Sequence, residues 1–250
     1  MAKSISPAVK SYLIAYNFVC TIGWGYILVA SIFHFLSGNS YRTLFDAIGT
    51  PLAVVQTLNL LEVVHSALGK SHNYFKPRFL FLFPSLNCLV NSGIFTTVAQ
   101  ISSRIFIVWV IEYLFPEDIV VRTLGFTVQT FAWSITECIR YPFYALSLIG
   151  IEPYPLIWAR YTFFYVLYPL GVWGETSQII RSFRLAYAKS PYLFYLNVVI
   201  LLNYFPAFNS LFRYMVKQRS KHVHSSTSSS KLELSAKSTI PVKSQKAKKL

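Results

Sequence analysis

In residues 167–175, LYPLGVWGE, a tyrosine and a glutamate stand seven residues apart in otherwise apolar sequence. Seven residues turn a helix through about 700°, nearly two full turns, so Tyr168 and Glu175 share a face about 10.5 Å apart along the axis. Tyr161 adds a further step on the same stripe. No Lys, Arg or His lies within four residues of Glu175, so its own helix offers no counter-charge. A carboxylate in apolar surroundings is a stronger base than one in water, and a phenol stays protonated at neutral pH and can donate to a carbonyl or hydroxyl oxygen. Such a pair suits general acid–base chemistry, and equally suits hydrogen-bonded glue between helices. Pro169 and Gly171 between the two disturb a regular helix.

Other ionisable residues also interrupt apolar runs: Glu62, His65, Arg104, Glu137, Arg140 and Arg160. Each costs about 2.5–3.5 kcal/mol at the centre of a bilayer on insertion scales, so partners are expected. Glu137 and Arg140 are three apart on one helix and can bond each other, as can Glu62 and His65. Arg104 is expected to find Glu62 or Glu137. Arg160 is expected near a cytosolic helix end, snorkelling or holding an anionic headgroup.

The bilayer itself follows from composition. Of 250 residues, 54% are hydrophobic and only 13% charged, where a soluble domain would carry about 25% charged. No Asp, Glu, Lys or Arg occurs between Lys10 and Arg42 or between Lys189 and Arg213, and each gap exceeds the roughly 20 residues that cross a bilayer as a helix. The first run is too long for a signal-peptide core. The pattern predicts an all-α, polytopic membrane bundle of about six transmembrane helices, near 12–36, 51–69, 95–115, 123–148, 156–180 and 192–212, with Pro51 opening the second. A cytosolic N-terminus (1–11) precedes this membrane domain (12–219), and a disordered basic tail (220–250) follows it. From Arg213 onward there are ten Lys or Arg against one acid, Glu233, out of a net charge of +14. That tail points to the cytosolic side and anionic lipid headgroups rather than to nucleic acid, since no compact basic fold accompanies it. Both termini are then cytosolic, although Arg181, Arg184 and Lys189 in the fifth loop run against the rule. Lys246 and Lys248 in the terminal KAKKL have the spacing of a dilysine retrieval signal for the endoplasmic reticulum. Cys20, Cys88 and Cys138 have no metal-site spacing. None has an arginine six positions on, where Tyr26, Ile94 and Tyr144 stand, so tyrosine-phosphatase chemistry is excluded. No Gly-rich phosphate loop occurs, and no cofactor or metal is expected.

Five stretches together resemble the 3-hydroxyacyl-CoA dehydratases of the endoplasmic reticulum, also called protein-tyrosine-phosphatase-like proteins: LLEVVHSALG (60–69), QISSRIFIVW (100–109), WSITECIRYPFY (133–144), WARYTFFYVLYPLGVWGE (158–175) and YMVKQR (214–219). The resemblance implies six spans, an acyl-CoA substrate and the dehydration step of very-long-chain fatty acid elongation. It implies a catalytic Tyr and Glu at the same seven-residue spacing, carried here by Tyr168 and Glu175. It also implies partners among the other elongase enzymes, the condensing enzyme and reductases. Arg104, Glu137, Arg140, Tyr141, Arg160 and Tyr161 are expected to shape the cavity or contact substrate. An apolar piece within 70–95 has no counterpart in the family pattern. The alternatives are a non-catalytic scaffold for elongase components, which would not need the pair, and a transporter, which would more typically show repeated halves.

Overall fold

In a computed structural model, which describes residues 6–67 and 92–238, the chain is helical and shows no strand among the described residues. The helices are α1 (Pro7–Leu36), α2 (Leu44–Leu58), α3 (Leu60–Ala67), α4 (Ser92–Phe106), α5 (Asp118–Val121), α6 (Leu124–Ile149), α7 (Tyr154–Thr162), α8 (Phe164–Lys189) and α9 (Pro191–Ser238). A π-helical segment, Ile107–Glu112, prolongs α4. The extra apolar piece expected within 70–95, and Cys88 with it, falls almost wholly outside the described residues.

Local signals set most of the boundaries. Ser6 caps α1, its Oγ accepting from the Val9 N–H, with Pro7 in the first turn, where a missing N–H costs nothing. Thr123 caps α6 in the same way, and Gly150 ends it with φ +90°, the left-handed conformation that glycine reaches without strain. Four boundaries differ from expectation. α1 begins at Pro7, five residues before the expected start near 12. Pro51 lies inside α2, which begins seven residues earlier, directly after a 3-10 turn at Tyr41–Thr43. The expected fifth helix is interrupted at Phe163 and then runs on to Lys189. The last helix continues to Ser238, past Arg219, where the serine- and lysine-rich composition led us to expect no regular structure. Prolonging an existing helix needs no new nucleus, so weak helix formers can follow strong ones.

The central pillar is α6. α1 runs antiparallel to it, with Tyr16 beside Tyr141 and Phe35 beside Phe131. α2–α3 runs parallel to it, with Phe45 against Phe126 and Tyr141 bonded to Asn59, whereas α4 and α8 are antiparallel, joined through Arg104 to Glu137 and Gln178 to Gln129. α9 returns along α8, with Phe194 against Phe183 and Phe212 against Tyr165. The start of α1, the α6–α7 turn, the start of α8 and the later part of α9 therefore gather at one end.

Burial departs from that of a water-soluble protein: around an apolar core that includes Trp24, Ile48 and Phe126, polar side chains are sealed in and large apolar ones face out. Gln56, Gln129, Glu112, Gln178 and Asn197 are fully buried, whereas Ile22, Phe33, Leu202 and Phe205 are at least 60% exposed. Exposed apolar side chains along α1 and α9 form far more apolar surface than a soluble monomer tolerates, and lipid is the solvent that suits it. Among the described residues, three helical stretches, Pro7–Leu36, Tyr41–His65 and Pro191–Ser220, are long and apolar enough to cross a membrane.

Candidate active site

Glu175 lies 7% exposed in the middle of α8. Trp133 Nε1 of α6 donates to its Oε1 at 2.8 Å, and the Tyr204 hydroxyl of α9 donates to its Oε2 at 2.8 Å. The counter-charge missing from its own helix is thus replaced by two neutral donors from two neighbouring helices. α6 and α8 approach closely enough for this because glycines meet at the crossing. A Cβ on Gly174 would stand 2.6 Å from the Gly125 carbonyl oxygen and 2.9 Å from the Gln129 nitrogen, both unyielding backbone atoms. Gly174→Ala is therefore expected to push the helices apart and destabilise the fold by about 1–3 kcal/mol. A lowered melting temperature in detergent would show it, and an unchanged one would mean that the crossing is looser than described.

Tyr168 stands about two turns before Glu175 on the same stripe of α8. Its ring lies parallel to Phe208 of α9, centroids 5.1 Å apart and planes within 3°. Phe208 is one turn beyond Tyr204, so both side chains of the expected pair meet the same face of α9. They do not bond each other: the Tyr168 hydroxyl has no hydrogen-bond partner among the described residues, and the side chain is half-buried. Glu175, Tyr168 and Arg104 lie within electrostatic reach of one another. Tyr161, expected on the same stripe, belongs instead to α7, where it is buried below the Arg160 guanidinium, 5.9 Å from its ring.

Beside the pair runs a belt of alternating charges. Arg140 grips Glu62 with two parallel bonds of 2.8 and 2.7 Å and reaches Glu137 with its Nε at 2.5 Å. Arg104 pairs with the other oxygen of Glu137. The Tyr141 hydroxyl sits between Asn59 Oδ1 and Glu62 Oε1. Arg104 also lies over the Trp133 ring, 5.0 Å from its centroid, within cation–π range. Since Trp133 holds Glu175, the belt reaches the site without a break. The expected bonds of Arg140 and Arg104 to Glu137 are both present. Glu62 was expected to pair with His65 and instead takes the guanidinium fork of Arg140, the better match for a carboxylate. His65 lies 2.9 Å from the Tyr12 hydroxyl. Arg160, expected to snorkel, is half-buried, donates to the Tyr144 hydroxyl at 3.1 Å and lies over the Phe143 and Tyr144 rings.

Three features escaped the sequence. Trp133 had a readable signal, since positions 133, 137, 140 and 141 form one helical stripe. Tyr204 had none, because one tyrosine among many aromatics on α9 shows its role only once α8 is beside it. Glu112 stands close to the PED break and reads there as a helix-end residue. It is fully buried, accepting from Gln129 Nε2 at 2.7 Å, while Gln129 Oε1 accepts from Gln178 at 2.6 Å.

The family described as protein tyrosine phosphatase-like protein, PTPLA, matches residues 78–225. Very-long-chain (3R)-3-hydroxyacyl-CoA dehydratase 2 of Mus musculus is 33% identical over 88% of this chain and 83% of its own. The dehydratase hpo-8 of Caenorhabditis elegans is 33% identical over 86% of this chain and 95% of its own. PASTICCINO 2 of Arabidopsis thaliana, carrying the same dehydratase name, is 32% identical over 88% and 96%. No solved structure matches. With a match of this extent from animals to a plant, the chain belongs to the protein tyrosine phosphatase-like family.

Proposed function

We propose that the chain is a hydro-lyase that converts long- and very-long-chain 3-hydroxyacyl-CoA to trans-2-enoyl-CoA, the third step of the fatty acid elongation cycle. Relatives that align over most of their length are named for this activity. The observation that carries the reading onto this chain is Glu175, a buried carboxyl held by Trp133 and Tyr204 on the α8 face that also bears Tyr168.

Dehydration breaks the C2–H and C3–O bonds, forms the C2–C3 double bond and releases water. Glu175 takes the C2 proton, which is acidic because the resulting charge spreads onto the thioester oxygen. Tyr168, with its hydroxyl uncommitted, donates to the oxygen on which charge gathers, the thioester carbonyl or the departing hydroxyl. The hydroxide that leaves C3 takes up one proton to depart as water, balancing the one that Glu175 removes. The two donors on Glu175 fix the direction of its lone pairs, and the Arg104–Glu137–Arg140–Glu62 belt fixes Trp133. The phosphatase part of the family description has no support in the described cysteines. Cys20 and Cys138 both sit mid-helix, where the backbone N–H groups that would cradle a phosphate are already committed to the helix.

Six membrane passes, formed by α1, α2–α3, α4 with its π segment, α6, α8 and α9, bring both chain ends to the cytosolic face. There the CoA head stays in water while the acyl tail enters the bundle. The endoplasmic reticulum is the proposed location, with the condensing enzyme and reductases of elongation as partners. The test is to purify the full chain in detergent, supply a long-chain 3-hydroxyacyl-CoA and follow enoyl thioester formation. Turnover by the wild type supports the reading, and a well-folded wild type without turnover rejects it.

A further inference from the structure

We propose that Arg219 is the anchor for the phosphates of the CoA head, at the end of the aromatic lane that starts at Tyr168; this rests on the dehydratase reading of the same site. The stripe of α9 that meets α8 begins at Tyr204 on Glu175 and continues through Phe208, stacked on Tyr168. Phe212 follows, 5.6 Å from Phe208 and 5.9 Å from the Tyr165 ring. The lane ends at Arg219, whose guanidinium carbon lies 5.5 Å from the centre of the Tyr165 ring. Phe208 and Arg219 are eleven residues apart, which turns the helix through about three full turns, so they share a face, and advances it by about 16.5 Å.

Arg219 is not placed like a solvated membrane-edge arginine. Such a residue spreads its guanidinium into water, whereas this one is half-buried, folded onto a ring, and its Nε is sealed from solvent with no hydrogen-bond partner. Arg104, Arg122 and Arg140 each hold an acid, and Arg160 holds the Tyr144 hydroxyl. Among the described residues Arg219 is the one half-buried arginine with neither. A planar cation kept unpaired at the mouth of an aromatic lane is suited to a bidentate anion such as a phosphate. The dehydratase reading names the anion, and the length of the CoA arm is compatible with it. From the thioester sulfur to the pyrophosphate, CoA has about thirteen bonds, and an extended chain advances roughly 1.2 Å per bond, giving about 15 Å. An arm of that length can run from Tyr168 along the Phe208 and Phe212 rings to the guanidinium held on Tyr165.

The test compares the full-length wild type with Arg219→Gln in lipid nanodiscs, on a 3-hydroxyacyl-CoA and on the same acyl chain as its N-acetylcysteamine thioester, which lacks phosphates. Arg219→Gln is expected to raise KM for the CoA thioester about tenfold, to leave kcat within about twofold, and to leave KM for the short thioester unchanged. Free CoA, titrated against both proteins, is expected to bind about tenfold more weakly to the variant. That titration is independent of turnover, so an inactive wild type would reject the dehydratase reading and still leave this one decided by binding. Should Arg219→Gln melt early, Arg219→Met, which keeps the apolar stem, carries the same comparison. Unchanged CoA binding in a folded variant, or an equal rise in KM on both thioesters, overturns the proposal.

Discussion

Glu175→Gln is expected to lower dehydration turnover by about 10²- to 10⁴-fold, the range that a positioned general base contributes, while the protein stays folded. The substitution is nearly isosteric. The amide oxygen can still accept from Trp133 Nε1, and the amide nitrogen can donate to the Tyr204 oxygen, so both contacts that now hold the carboxylate survive in altered form. What disappears is the ability to accept a proton from carbon. Tyr168→Phe is the companion test and a cleaner one structurally. The Tyr168 hydroxyl has no partner to lose among the described residues, and the ring that stacks on Phe208 is retained. Any fall in kcat is then chemical rather than conformational. Both variants are to be read by enoyl thioester formation alongside a melting curve. Normal turnover in both, with normal melting, rejects the site and leaves the belt of charges to be explained as scaffolding.

Glu137→Gln carries the largest expected effect on stability. Glu137 is 1% exposed and holds two arginines, Arg104 through one oxygen and Arg140 through the other. Removing its charge leaves those cations short of one negative partner inside the bundle. Breaking a buried pair from one side costs about 3–5 kcal/mol, because the surviving charge stays desolvated without compensation. Arg140 retains Glu62, whereas Arg104 has no second acid among its ion pairs and is expected to swing away from the Trp133 ring. Stability and activity should therefore fall together. The control is Asp46→Asn, which breaks the bond to Arg122 where both side chains are more than a third exposed. It should cost under about 1 kcal/mol. Equal melting temperatures for the two variants would show that the belt adds nothing to the fold.

The Tyr168–Glu175 stripe was legible in the sequence because its information is local: seven residues on one helix fix a face and a separation. The helical, lipid-facing character was legible for the same reason, since a charge-free run of sufficient length can be counted. So were the Glu137–Arg140 bond, three residues apart, and the span of α6, expected near 123–148 and found at Leu124–Ile149. Tertiary structure decided everything that joins one helix to another. That Glu62 takes Arg140 instead of the nearby His65, and that Tyr204 faces Glu175, depends on which helices stand side by side, and periodicity within a segment carries no such information. Glu112 shows the limit most plainly, because beside PED it looks like a helix end, and only the packing of α6 and α8 against the π turn seals it in the core. The sequence could supply the reactive side chains and the axis they share. Their donors, their depth and the neighbouring helix that aims them come from contacts between residues far apart in the chain, which exist only once the bundle has closed.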